Sequence, residues 1–165
     1  PIQSSFEELP NRLSTSTVPR FVSLGLTFSN FQPQKIPNLV KDIAGTNGLV
    51  FFDVHLRDRV DMQQIIELYR GDVPALADPK LALLGLDPER DILDRKVDDG
   101  IHVWYTLAKT NKDLDDKGVK VGDTLLMFQS LRYTTASLEA EVSHLFSEYH
   151  FLDTGSPFLG IVARV

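Results

Sequence analysis

Leu49-Val-Phe-Phe52 is the feature that most limits what this chain can fold into. Four consecutive large apolar residues, entered through Asn47-Gly48, read as a strand with apolar side chains on both faces. Burial on both faces is what a central strand between helical layers requires. The run then changes character. Asp53, His55 and Arg57 alternate with Val54 and Leu56, and Asp58 and Asp61 follow at the start of a helix. If the strand over 49–56 continues to Arg57, it projects a carboxylate, an imidazole and a guanidinium from one face near its carboxyl end.

Elements able to cover that strand lie on either side of it. Residues 20–28 alternate as a first strand, with Leu24, Leu26 and Phe28 on one face. Pro37 suits the first turn of a short helix that Gly45 closes. Met62, Ile65, Ile66 and Tyr69 keep helical spacing as far as Gly71. Asp78-Pro79 and Asp87-Pro88 each set a capping carboxylate before a proline. Residues 72–100 thus read as a helical connection, one short helix packed by Leu81, Leu83 and Leu84 and the next by Ile92, Leu93 and Val97, with the mixed charges of 87–99 as a solvated face. Ile101–Lys109 and Asp123–Tyr133 make an antiparallel hairpin. Ser137 caps a helix striped by Leu138, Val142, Leu145, Phe146 and Tyr149, and 158–165 forms a last strand.

This order predicts an α+β fold: a mixed five-stranded sheet with helices packed on it, a two-layer sandwich carrying a helical insertion. In element order it is similar to the ferredoxin-like style. Residues 1–19, with three prolines and the 14–17 Ser/Thr cluster, read as an N-terminal arm before a single domain over 20–165. With 42% hydrophobic and 24% charged residues, the 165-residue chain has the balance of a globular protein. The absence of cysteine excludes disulfides, thiolate metal sites and cysteine nucleophiles, and fits a cytoplasmic location. A net charge of -6 with scattered Lys and Arg argues against nucleic acid. No apolar run approaches the ~20 residues that span a bilayer, so no membrane association is expected.

Two readings compete for the 53–57 alternation. In one, His55 is a general acid/base, Asp53 its orienting partner and Arg57 an anion clamp. In the other, Asp53 and Arg57 pair with each other or with Arg59 and Asp58, and His55 is a satisfied, half-buried ring. Were the strand of His102 to lie beside 49–56, His55, His102 and Asp53 would make a metal-ligand set. Other motifs fail. Glu141-x-x-His144 occurs once and lies opposite an apolar stripe. The loop from Asp113 has Thr124 where a calcium loop needs a bidentate Glu. Gly45–Gly48 lacks a phosphate-loop ending, and Ser156 lacks a hydrolase frame. The expectation is therefore a soluble, acidic interaction module without cofactor, binding a protein partner or itself as a homo-oligomer. The alternative is a small enzyme with its pocket at the end of strand 49–56.

Overall fold

The computed structural model of this chain describes residues 8–13, 18–98 and 101–165, with the backbone alone over 72–76. Its elements in order are α1 (Leu9–Arg12), β1 (Phe21–Gly25), α2 (Ile36–Ala44), β2 (Leu49–His55), α3 (Met62–Leu83), β3 (Ile92–Val97), β4 (His102–Leu107), α4 (Lys112–Asp115), β5 (Thr124–Gln129), α5 (Thr135–Leu145), β6 (Tyr149–Asp153) and β7 (Phe158–Arg164). Of the expected arm, residues 1–7 and 14–17 lie outside the described residues. No helix among the described residues is long and apolar enough to cross a membrane. The chain divides into two units, 1–60 with 132–165, and 61–131.

The α+β class is as expected, but the strands form two sheets, of four and three strands, rather than one of five, and the ferredoxin-like order is not reproduced. Two local readings account for the difference. The charged stretch after Asp87 is a strand, because 92–97 pairs antiparallel with 103–107. Asp87 caps only a turn, accepting from the amides of Glu89 and Arg90. Tyr149 does not continue the α5 stripe. The helix ends at Leu145, Phe146 is extended, and Tyr149 opens β6, which pairs with β7.

In the first unit the strand order is β1-β2-β7-β6, with β1 parallel to β2 and the other pairs antiparallel. β1 stops at Gly25, whose φ of 50° is open to glycine and strained for other residues. Leu26 and Phe28, expected to extend the strand, wind instead into a 3-10 turn. Phe28 then stacks on Phe52, ring centroids 4.1 Å apart. Val22, Leu24, Val50, Phe52, Val54, Leu159, Ile161 and Ala163 are all buried on one face of the sheet. The buried stripes of α2 (Ile36, Val40, Ile43) and α5 (Leu138, Val142) complete this core, and Phe146 lies 6.1 Å from the Phe52 ring.

Between α2 and β2 the chain reverses so tightly that Gly48 admits no side chain. A Cβ there would overlap the Ala44 methyl and come within 2.8 Å of the Ala44 carbonyl oxygen. Gly48→Ala is therefore expected to destabilise the chain by ~1–3 kcal/mol, as overpacking does. A lowered urea midpoint with unchanged m would show it. An unchanged midpoint would contradict so close an approach.

The second face is different. Leu49 is 37% exposed while Val50 and Phe52 are fully buried, and Phe51 is only half-buried. The expectation that 49–52 is covered on both sides is therefore corrected: β2 is central in its sheet, but the described helices of this unit cover one face.

In the second unit, β4 lies between β3 and β5. Asp61, not Asp58, caps α3, accepting from the amides of Gln63 and Gln64. The helix runs 22 residues, through Gly71, where it was expected to end, and through Asp78-Pro79, where another was expected to begin. Ala77 and Leu81 from this helix pack with Val103, Tyr105, Leu107, Leu114 and Met127. Leu83, expected to pack beside Leu81, is 88% exposed. Lys80 Nζ also donates to the Met127 carbonyl at 2.9 Å. At α5, the cap is Thr134 rather than Ser137. Ser137 stands three residues on and returns the bond to the Thr134 amide, a reciprocal capping box.

Candidate functional site

The two-residue period of β2 sends Leu49, Phe51, Asp53 and His55 to the face the helices leave bare. Register then sets their neighbours. On β7, Arg164, Val162, Gly160 and Phe158 stand opposite them in that order. β1 adds Phe21 and Ser23, and β6 adds His150 and Leu152. Phe21 is 63% exposed, Leu152 49% and Phe158 37%. Large apolar side chains this open, side by side on one face, are uncommon on a folded unit.

Its centre is Gly160. A Cβ at that position would sit 3.2 Å from Phe51 Cε2, 3.4 Å from Leu152 Cβ and 3.5 Å from Asp53 Oδ1. Phe51, Leu152 and Asp53 therefore close over the bare glycine and leave a shallow surface. His55 lies flat on Phe158, with ring centroids 4.0 Å apart and planes 12° from parallel. Burial, reinforced by the Arg132 charge, pulls the His55 pKa below its ordinary 6.5. The neutral ring is favoured in the folded chain, so the unfolded chain takes up this proton first as pH falls. The stabilisation is complete above about 6.5 and is lost as pH drops through the lower, folded value. An NMR titration of the His55 ring is expected to show a midpoint below 6.5. A midpoint at or above that value would contradict the packed geometry.

Asp53 and His55 thus share a face, as their alternation required, yet no hydrogen bond joins them among the described residues. The Asp53 carboxylate makes no hydrogen bond or ion pair there at all. Arg57 lies beyond the strand, and its amide donates to the Tyr133 carbonyl at 2.8 Å. Arg59 and Asp58, expected near Asp53 or Arg57, are used elsewhere. The Arg59 guanidinium grips Asp153 through two bonds of 2.7 and 2.6 Å and reaches the Ser156 carbonyl at 3.2 Å. Those bonds, with one from the Gly155 amide, hold the Asp153 carboxyl well below the usual carboxylate range. Asp58 accepts from the amide and hydroxyl of Thr135.

His102 belongs to the other sheet, with β3 and β5 as neighbours, so the strand pairing that would bring it beside His55 does not form. Its Nδ1 lies 3.0 Å from Asp98, which also accepts from the His102 amide and from Trp104 Nε1. Burial opposes the Asp98 charge, but these bonds outweigh it and lower the pKa. Among the described residues no group of three or more His, Asp or Glu is placed to hold a metal ion.

Comparison with known proteins adds nothing to these residues. No protein-family model matches the chain, and no curated protein matches it.

Three features escaped the sequence. The Asp98–His102–Trp104 cluster had only one sequence signal, Asp98 standing four residues before His102. The Arg59–Asp153 clamp spans 94 residues and has no local signal. The third is a pair of buried hydroxyls near the carboxyl ends of β1 and β2, Ser29 Oγ and Tyr133 Oη, neither of which has a hydrogen-bond partner among the described residues. Tyr133 bridges to Leu56, just past β2, and its ring lies 6.3 Å from Phe28. Burial, then the Glu141 charge, raises its phenol pKa far above the ordinary value of 10.

Proposed function

We propose that this chain is a protein-interaction module that works through the bare face of its four-stranded sheet. The observation that supports this reading most is the run of Phe21, Leu49, Phe51, Phe158 and Leu152 across that face, with no described helix of the unit over it. On the other face of the same sheet the side chains of β1, β2 and β7 are buried, so the open residues are not a general looseness of the core. A cysteine-free, acidic chain of this kind suits a cytoplasmic setting. The apolar dye 1-anilinonaphthalene-8-sulfonate tests the face directly. The native chain binds it, and Phe21→Asp with Leu152→Asp and Phe158→Asp lowers that binding severalfold while leaving near-UV circular dichroism intact. Equal dye binding by the triple variant would refute the reading.

A second reading, a small enzyme, is favoured by the unsatisfied hydroxyls of Ser29 and Tyr133. Ligands of sheets with parallel strands gather at carboxyl ends, and β1 and β2 are such a pair. Here His55, beside Arg132, would act as general acid/base, Arg57 as anion clamp and Asp53 as the orienting carboxylate. Without a ligand, Tyr133→Phe removes a buried hydroxyl that bonds to no described residue and is expected to be neutral or stabilising by about 1 kcal/mol. Thermal melts with divalent metals and common anions decide the matter. A ligand that raises the melting point of the native chain but not of Tyr133→Phe or His55→Ala supports the enzyme reading, and an unresponsive native chain removes it.

A further inference from the structure

Resting on the docking reading above, we propose that the bare face seats an amphipathic helix of a partner polypeptide, whose apolar stripe carries one lysine or arginine at its middle to pair with Asp53. The shape of the surface calls for a helix. Its opposite face is already covered by α2 and α5, and a helix laid on the bare face would give the sheet a second helical layer. Four strands at ~4.8 Å spacing make a platform about 15 Å across, wide enough for one helix of ~10 Å diameter with its flanking side chains.

Charge sets the partner's chemistry. Asp53 and Gly160 pair at the middle of the two inner strands, so this carboxylate sits at the centre of the platform. Asp53 is half-buried, flanked by Phe51 and Leu152 over Gly160, and its side chain bonds to no described residue. The cation opposite Leu49, Arg164, is held by Glu148 at 2.7 Å. A wholly apolar occupant would strip water from Asp53 and give nothing back, and uncompensated buried charge is strongly unfavourable. A cationic side chain in mid-stripe removes that penalty and fixes the helix in register.

The same carboxylate argues against a second copy of this chain. The twofold axis of a face-to-face dimer lies in the interface and runs near its centre. It would bring Asp53 toward the Asp53 of its symmetry mate, two like charges in an apolar contact.

Two synthetic helical peptides of about 18 residues, ~27 Å long as helices, provide the probe. Both carry a leucine and alanine stripe, with Lys in mid-stripe in one and Glu in the other. Binding to the full chain is followed by fluorescence anisotropy, and the site by amide chemical-shift changes. The Lys peptide is expected to bind at least about tenfold tighter than its Glu twin at low salt, with shifts centred on Phe51, Asp53, Leu152 and Phe158. Asp53→Asn removes that preference, Asp53→Lys reverses it, and Leu152→Asp with Phe158→Asp abolishes binding of both peptides. Equal affinities for the native chain overturn the cation pairing, and the docking reading survives if the Leu152/Phe158 variant still loses both peptides. Binding that ignores that variant overturns both. No binding of either peptide overturns the helical occupant, with the dye experiment left to judge the face. A dimer in sedimentation that Leu152→Asp dissolves gives the face to a second copy and overturns the proposal as well.

Discussion

Phe52→Ala is expected to destabilise the chain by ~3–5 kcal/mol, enough to consume much of the ~5–15 kcal/mol typical of a folded domain. The side chain is fully buried, stacked on Phe28 at 4.1 Å and facing Phe146 at 6.1 Å. Truncation leaves a hole that three elements border: β2, the turn after β1 and the end of α5. The sheet backbone is hydrogen-bonded and cannot collapse inward to fill it, which places the cost at the upper end. Urea unfolding followed by far-UV circular dichroism measures the loss. Phe51→Ala, one residue away on the bare face, gives up far less burial and is expected to cost about 1 kcal/mol or less. Similar losses from the two substitutions would contradict the assignment of faces.

Tyr105→Ala should have a comparable effect in the second unit, again ~3–5 kcal/mol. Its ring is 1% exposed within the Leu81, Val103, Leu107 and Met127 cluster. The Arg95 guanidinium lies 5.1 Å above the ring, and the hydroxyl donates to Asp78 at 3.2 Å. Burial, with the Asp78 charge, pushes the phenol up to about 12. Tyr105→Phe keeps the ring and loses only the bond to Asp78, so it should cost about 1 kcal/mol. The gap between the two variants separates packing from hydrogen bonding. A Phe variant as unstable as the Ala variant would mean that the hydroxyl, not the ring, organises this unit.

Elements announced by their own residues were legible in the sequence. α2 begins beside Pro37 and stops before Gly45, as proline and glycine dictate, and β4 and β5 form the expected hairpin. Elements defined by distant partners were not. The residues of β3 between Ile92 and Val97 are exposed and mostly charged, and only pairing with β4 makes them a strand. Tyr149 fell at helical spacing after Phe146, which hid β6 inside an apparent stripe. α3 passes Gly71 because a glycine costs a helix only ~1 kcal/mol, a penalty that the buried Ala77 and Leu81 can offset.

The same distinction governs the candidate site. Alternation alone placed Asp53 and His55 on one face of a strand. That Phe158 lies under His55 and Gly160 beside Asp53 follows from the β2–β7 register, which no local pattern encodes. The run from Leu49 to Phe52 misled in an informative way. Hydrophobicity records that a surface avoids water, and says nothing about whether its cover comes from the same unit or from another polypeptide.

Hydroxyl-radical footprinting of the free chain, read residue by residue by mass spectrometry, tests whether that surface stands open. Phe21, Leu152 and Phe158 are predicted to label readily, while Phe52, Leu159 and Ile161, on the opposite side of the same strands, stay protected. Equal protection of both sets would mean that the face is already covered, and the docking account would have to be abandoned.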